Sequence, residues 1–124
     1  VNDIETSAEA RQFVADTLAG LEDTVAGVTV TKYVPTPGNA RSPVVIVDMN
    51  GQTVSPVEFV LPVRAYVDAS SSGVDAAQDL CEQLVDAADD LLGAESLLVA
   101  GQVAYIGTSD CWVADLQVTV PRAL

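Results

Sequence analysis

Two periods run through the apolar positions of this chain. After the small-polar stretch Asp68-Ala-Ser-Ser-Ser-Gly73, residues Val74, Ala77, Leu80, Cys81, Leu84, Ala88, Leu91 and Leu92 recur at three- and four-residue steps. That spacing predicts an amphipathic helix ending at Gly93, with one apolar stripe to lay on a sheet. Asp75, Asp79, Glu82, Asp86, Asp89 and Asp90 fall mostly on its other side. A first helix is expected over Ser7–Thr24. Thr6 with Glu9 three residues on forms a capping-box signature, Ala10, Phe13, Val14, Leu18, Leu21 and Val25 make the apolar face, and Ala26-Gly27 supplies the stop.

The remaining segments read as strands. Val28–Val34 alternates strictly in β-branched and aromatic residues, the pattern of a half-buried strand. Val44–Met49, apolar but for Asp48, reads as a central strand covered on both faces, and Asn50-Gly51 signals a tight reversal after it. The return strand is expected after Pro56 and as far as Val67, with Phe59, Leu61, Val63, Ala65 and Val67 on one face and Glu58, Val60, Pro62, Arg64 and Tyr66 on the other. Pro62 cannot donate to a ladder, so a bulge or an edge is expected there. Leu97–Ile106, with a bend at Gly101, and Trp112–Val120 close the sequence around the turn Gly107-Thr-Ser-Asp110. The order is α-β-β-β-α-β-β, an α+β class, and no repeat, heptad run or linker divides residues 1–124, so one domain is expected.

Charge changes this picture most. Eighteen acidic residues stand against five basic ones, Arg11, Lys32, Arg41, Arg64 and Arg122, for a formal net charge of −13. Gripping DNA or anionic lipid requires cations on phosphates, so repulsion from both is the expectation. Acidity of this kind also keeps an Ala- and Val-rich protein in solution, as in a salty environment. No apolar run approaches the roughly 20 residues of a membrane span, and the amino end lacks the pattern of a signal peptide. The reading is therefore a soluble protein without membrane contact.

Catalytic chemistry finds little support. The chain has no histidine, which removes Cys-His and Ser-His arrangements, and it carries no phosphate loop, zinc spacing or nucleophile elbow. Asp86, Asp89 and Asp90 do not match a calcium loop. No catalytic residue, metal site or cofactor is expected, and the acidic helix face reads as solvated. Cys81 lies on the helix stripe as a small hydrophobe and Cys111 begins a strand, with free thiols favoured over a bridge.

Interface candidates are more numerous. Trp112 and Tyr66 are large aromatics of the kind buried at protein contacts, although Trp112 also fits the core register of its strand. The stretch Pro35-Thr-Pro-Gly-Asn-Ala-Arg-Ser-Pro43 excludes regular structure and suits either an arm that orders on a partner or a surface excursion. Pro35, Pro37, Asn39 and Arg41 in that loop, Arg64 and Tyr66 on the return strand, Trp112 and Arg122 are the candidate subunit or partner contacts. The acidic set Asp75, Asp79, Glu82, Asp86, Asp89 and Asp90 is the second candidate surface.

The whole order of elements, with the Pro-rich loop, "PVVIVDM", "VEFVLPVRAYVD", a Ser/Gly loop and the helix "AAQDLCEQLVDAADDLL" followed by two closing strands, resembles the tail terminator (tail completion) proteins of siphovirus-like tailed phages and archaeal viruses. The resemblance covers almost all of the chain but rests on element order, not on a short motif. It implies a mixed or antiparallel sheet of about five strands with two helices packed on one side. It also implies a virion structural role in the neck region of the tail, after assembly in the host cytoplasm. Such a protein forms a ring, normally a hexamer, that caps the head-proximal end of the tail tube, stops its growth and joins it to the neck or connector protein. Six chains at −13 each carry about −78, and a lumen lined by part of that charge would let DNA pass without binding. Another neck or tail-tube ring protein, or a small dimeric α+β module that binds a ligand or protein, is the alternative.

Overall fold

The computed structural model describes residues 4–25, 27–31, 43–47, 52–70, 73–107 and 110–122. Pro35, Pro37, Asn39, Arg41, Lys32 and the Asn50-Gly51 reversal lie outside them. The described elements run α1 (Ser7–Leu18), α2 (Leu21–Thr24), β1 (Thr29–Thr31), β2 (Val44–Val47), β3 (Thr53–Val54), β4 (Glu58–Asp68), α3 (Val74–Ala94), β5 (Leu98–Ile106) and β6 (Cys111–Pro121). The fold is α+β, as expected. Six strands form one mixed sheet in the order β1-β2-β4-β6-β5, with β3 beside β4. The β1–β2 pair is parallel and every other pair antiparallel.

Register explains which side of the sheet is covered. Successive strand residues point to opposite faces, so Val45, Ala65 and Ala114 share a face, as do Val47, Val63 and Leu116. These residues are buried together with Ala10, Val14 and Leu18 of α1 and Ala77, Cys81, Leu84, Ala88 and Leu92 of α3. One apolar layer thus lies between the helices and one face of the sheet. Phe59, Leu61 and Leu84 are at most 1% exposed, and truncating either leucine to Ala should cost about 2–5 kcal/mol.

Several local details depart from the sequence reading. The helix expected over Ser7–Thr24 is interrupted at Ala19-Gly20, where Glu22 N–H donates to Ala19 O and Asp23 N–H to Gly20 O, bonds of the tighter i to i+3 kind. Glycine is a weak helix former, and at Gly20 a Cβ would stand only 3.3 Å from Leu91 Cδ2 of α3. The capping box is half formed. Thr6 Oγ1 accepts from the Glu9 N–H, while the Glu9 carboxylate accepts from the Thr6 hydroxyl.

Pro62 produces neither a bulge nor an edge toward β6, since pairing runs without a break from Glu58–Pro121 to Asp68–Cys111. On its other side the register jumps, from Val60 opposite Thr53 to Val63 opposite Val47. A residue without an N–H is accommodated at that jump. β5 likewise pairs with β6 through Gly101 without interruption. Gly93 does not stop α3, which continues to Ala94, and the chain reverses at Ser96 with φ 62°. Both Cys81 and Cys111 are free thiols.

Candidate functional site

All six acidic residues of the α3 candidate surface are exposed. At about 100° per residue they fall within roughly a third of the helix circumference, opposite the buried stripe. The cause is local: apolar residues at Ala77, Cys81, Leu84, Ala88 and Leu92 fix which side meets the sheet, and the carboxylates are left outside. No group of three or more metal-ligating side chains forms among the described residues. No described helix is long and apolar enough to cross a membrane.

The second face of the sheet has no helix packed on it among the described residues. Arg64 and Tyr66 stand there two residues apart on β4, next to Ile46 and Val44 on one side and Asp115 and Val113 on the other. Val44 and Ile46 are buried, though they lie apart from the helix-side core. Arg64 Nε approaches Asp115 Oδ1 at 3.7 Å, with both side chains partly exposed. Arg64 and Tyr66 are thus neighbours on one face of the sheet.

Trp112 and Arg122 do not join it. Trp112 lies on the helix side, half-buried, where its indole N–H donates to Val74 O at 3.0 Å and its ring tilts against Tyr105, centroids 5.4 Å apart. It fastens the start of β6 to the start of α3. Tyr105 in turn donates its hydroxyl to Asp110 Oδ1, and that hydrogen bond holds the phenol above its ordinary pKa. Arg122 follows the far end of β6, about 33 Å along the strand from Trp112. Its guanidinium donates to Ser55 O at 3.1 Å and sits 5.2 Å above the Phe59 ring, while its backbone N–H donates to Val57 O. Arg11 donates to Gln52 Oε1 at 2.8 Å. Each described arginine is thus engaged within its own chain.

Asp68, at the mouth of the loop before α3, accepts from the Ser70 N–H at 2.9 Å and from its hydroxyl at 2.8 Å. These bonds hold its carboxyl below the usual carboxylate range.

The two edges of the sheet, β1 and β5, differ. At the β1 edge, the Val30 N–H is occupied by a carboxylate oxygen of Glu22 at 3.3 Å. At the other edge, β5 presents nine residues, LVAGQVAYI, without charge or proline. No described strand lies beyond it. Between this strand and α3 runs an open groove of about 160 Å³, with Val85, Val99 and Val103 inside and Asp86 and Asp89 at its side. The absence of charge in β5 was the available signal; its position at an edge was not readable from local pattern.

A scan of protein-family models gives no match to this chain, and no curated protein matches it.

Proposed function

We propose that the chain is a virion structural protein of the tail-terminator kind, which assembles into a ring, normally a hexamer, on the head-proximal end of a tail tube. In that role it stops tube growth, joins the tube to a neck or connector protein and lets DNA pass. The observation that carries this reading is the separation of two unlike surfaces on one small body: the carboxylates of α3 on one side, and the helix-free sheet face with Arg64 and Tyr66 on the other. Closed rings need unlike patches that meet between neighbours, and an anionic wall repels phosphates and so would not hold DNA passing through. The α+β order and one-sided helix layer agree with the resemblance in element order.

Like-charged subunits repel until salt screens them, with a Debye length of about 10 Å at 0.1 M and about 3 Å at 1 M. Solution mass by light scattering at low and at molar salt, with electron microscopy of the product, tests the proposal. Rings of six, formed on raising salt or on adding tail tubes, are the expected result. A monomer or dimer under all three conditions would sink it and favour a small binding module.

A further inference from the structure

The β5 edge carries an inference that does not depend on the ring reading. An edge strand leaves a row of backbone N–H and C=O groups unpaired, and proteins ordinarily blunt such edges with charge, proline or a cover. β1 has a cover, since Glu22 takes the Val30 N–H. β5 has none of these devices among the described residues: it is nine residues long, uncharged, free of proline and exposed at Leu98, Tyr105 and Ile106. We infer that the β5 edge is a docking strand for an extended segment of a partner protein in which basic and apolar residues alternate.

The alternation follows from the two sides of the edge. A strand added beside β5 would point every second residue toward α3, over the apolar groove floor of Val85, Val99 and Val103, with the Asp86 and Asp89 carboxylates alongside. A lysine or arginine suits that position, its stem on the valines and its charge at the carboxylates. The intervening residues would lie on the helix-free face, beside Leu98, Ala100, Ala104 and Ile106, where apolar side chains fit. The backbone ladder supplies affinity and the alternating side chains supply selectivity.

Charge also decides against a second copy as the occupant. Pairing β5 with β5 of another copy about a two-fold axis would place both α3 helices on the same side of the joined sheet. Their Asp86 and Asp89 side chains would then face each other across the axis, and like charges brought together are unfavourable. A basic strand removes that conflict.

The test uses three blocked octapeptides and the intact chain at low salt: alternating Lys and Val, alternating Glu and Val, and the Lys-Val peptide with four consecutive central residues N-methylated. Affinity is read by calorimetry, and the site by amide hydrogen exchange. The Lys-Val peptide should bind and slow exchange at alternate amides of 98–106. The Glu-Val peptide should bind at least about fivefold more weakly, and the Asp86→Asn, Asp89→Asn double variant should weaken Lys-Val binding by about the same factor. N-methylation should abolish the exchange protection while leaving the peptide's charge intact. Equal binding of the N-methylated peptide, or no change at β5, would reduce the effect to ionic adsorption and overturn the inference. Concentration-dependent protection of β5 without peptide would overturn it in favour of self-pairing.

Discussion

Gly101 of β5 sits against Asp115 of β6 so closely that a Cβ there would overlap the Asp115 carbonyl oxygen and stand 2.8 Å from Leu116 Cα. The first atom is backbone, held in an eleven-residue strand paired on both sides, so a rotamer change cannot relieve the overlap. Gly101→Ala should therefore cost about 1–3 kcal/mol by forcing the strands apart. Urea denaturation measures it. A change below about 0.5 kcal/mol would show that the β5–β6 spacing is softer than this contact requires.

At the end of α3, Ser96 takes the left-handed conformation that usually belongs to glycine, with φ 62°. The Leu97 N–H returns to Leu92 O at 3.1 Å and the Ser96 N–H to Gly93 O at 2.9 Å, so the reversal is a bonded cap. A residue with a Cβ is strained there. Ser96→Gly should stabilise the protein by up to about 1 kcal/mol and Ser96→Val should destabilise it by about 1 kcal/mol or more, both read from thermal unfolding. Equal melting temperatures for the two variants would contradict the assigned backbone.

Cys81 faces the core from α3 with no exposed surface, and burial, followed by the nearby Glu82 charge, pushes its thiol up to about 11. Its folded pKa is raised above the ordinary value of 9.0. The linked stability is therefore fully present below pH 9 and lost as pH climbs toward 11. A Cys81→Ala variant should lose less stability than the parent across that window, once the two are compared at matched salt. A thiol reagent at neutral pH should label Cys111, which is only partly buried, well before Cys81. Equal labelling rates in the native protein would contradict this placement.

Elements with a strong period were readable before any fold was known. α3 has five buried residues at three- and four-residue steps, and β6 alternates buried Ala114, Leu116, Val118 and Val120 with partners that are exposed or partly exposed. β3 was not readable, because Thr53 and Val54 are both exposed and carry no alternation. Glycine propensity points to Gly93 as the helix end, whereas the reversal at Ser96 is held by bonds to Leu92 and Gly93 that depend on how α3 meets β5. Candidate contacts fared according to distance in sequence. Arg64 and Tyr66, two apart on one strand, share a face by necessity, whereas Trp112 and Arg122 stand at opposite ends of β6 and on the helix side of the sheet. The edge position of β5 depends on β6 lying between it and β4, a long-range choice that no local pattern encodes.

The Arg64–Asp115 pair separates two roles that a single substitution would confuse. Asp115 Oδ1 is buried and accepts no hydrogen bond among the described residues, and Arg64 Nε lies 3.7 Å from it. Arg64→Glu sets two carboxylates opposite each other, and for side chains 27% and 45% exposed the cost should be about 1 kcal/mol, reduced further by salt. Assembly, if it uses this face, should fall by more than that loss of stability explains. The discriminating variant is the exchange Arg64→Glu with Asp115→Arg, which restores the pair in reverse. Return of both stability and assembly would confine Arg64 to its own chain. Return of stability without assembly would mean that the guanidinium at position 64 meets an acidic surface on a neighbour, and the exposed carboxylates of α3 would be the first to neutralise in search of it.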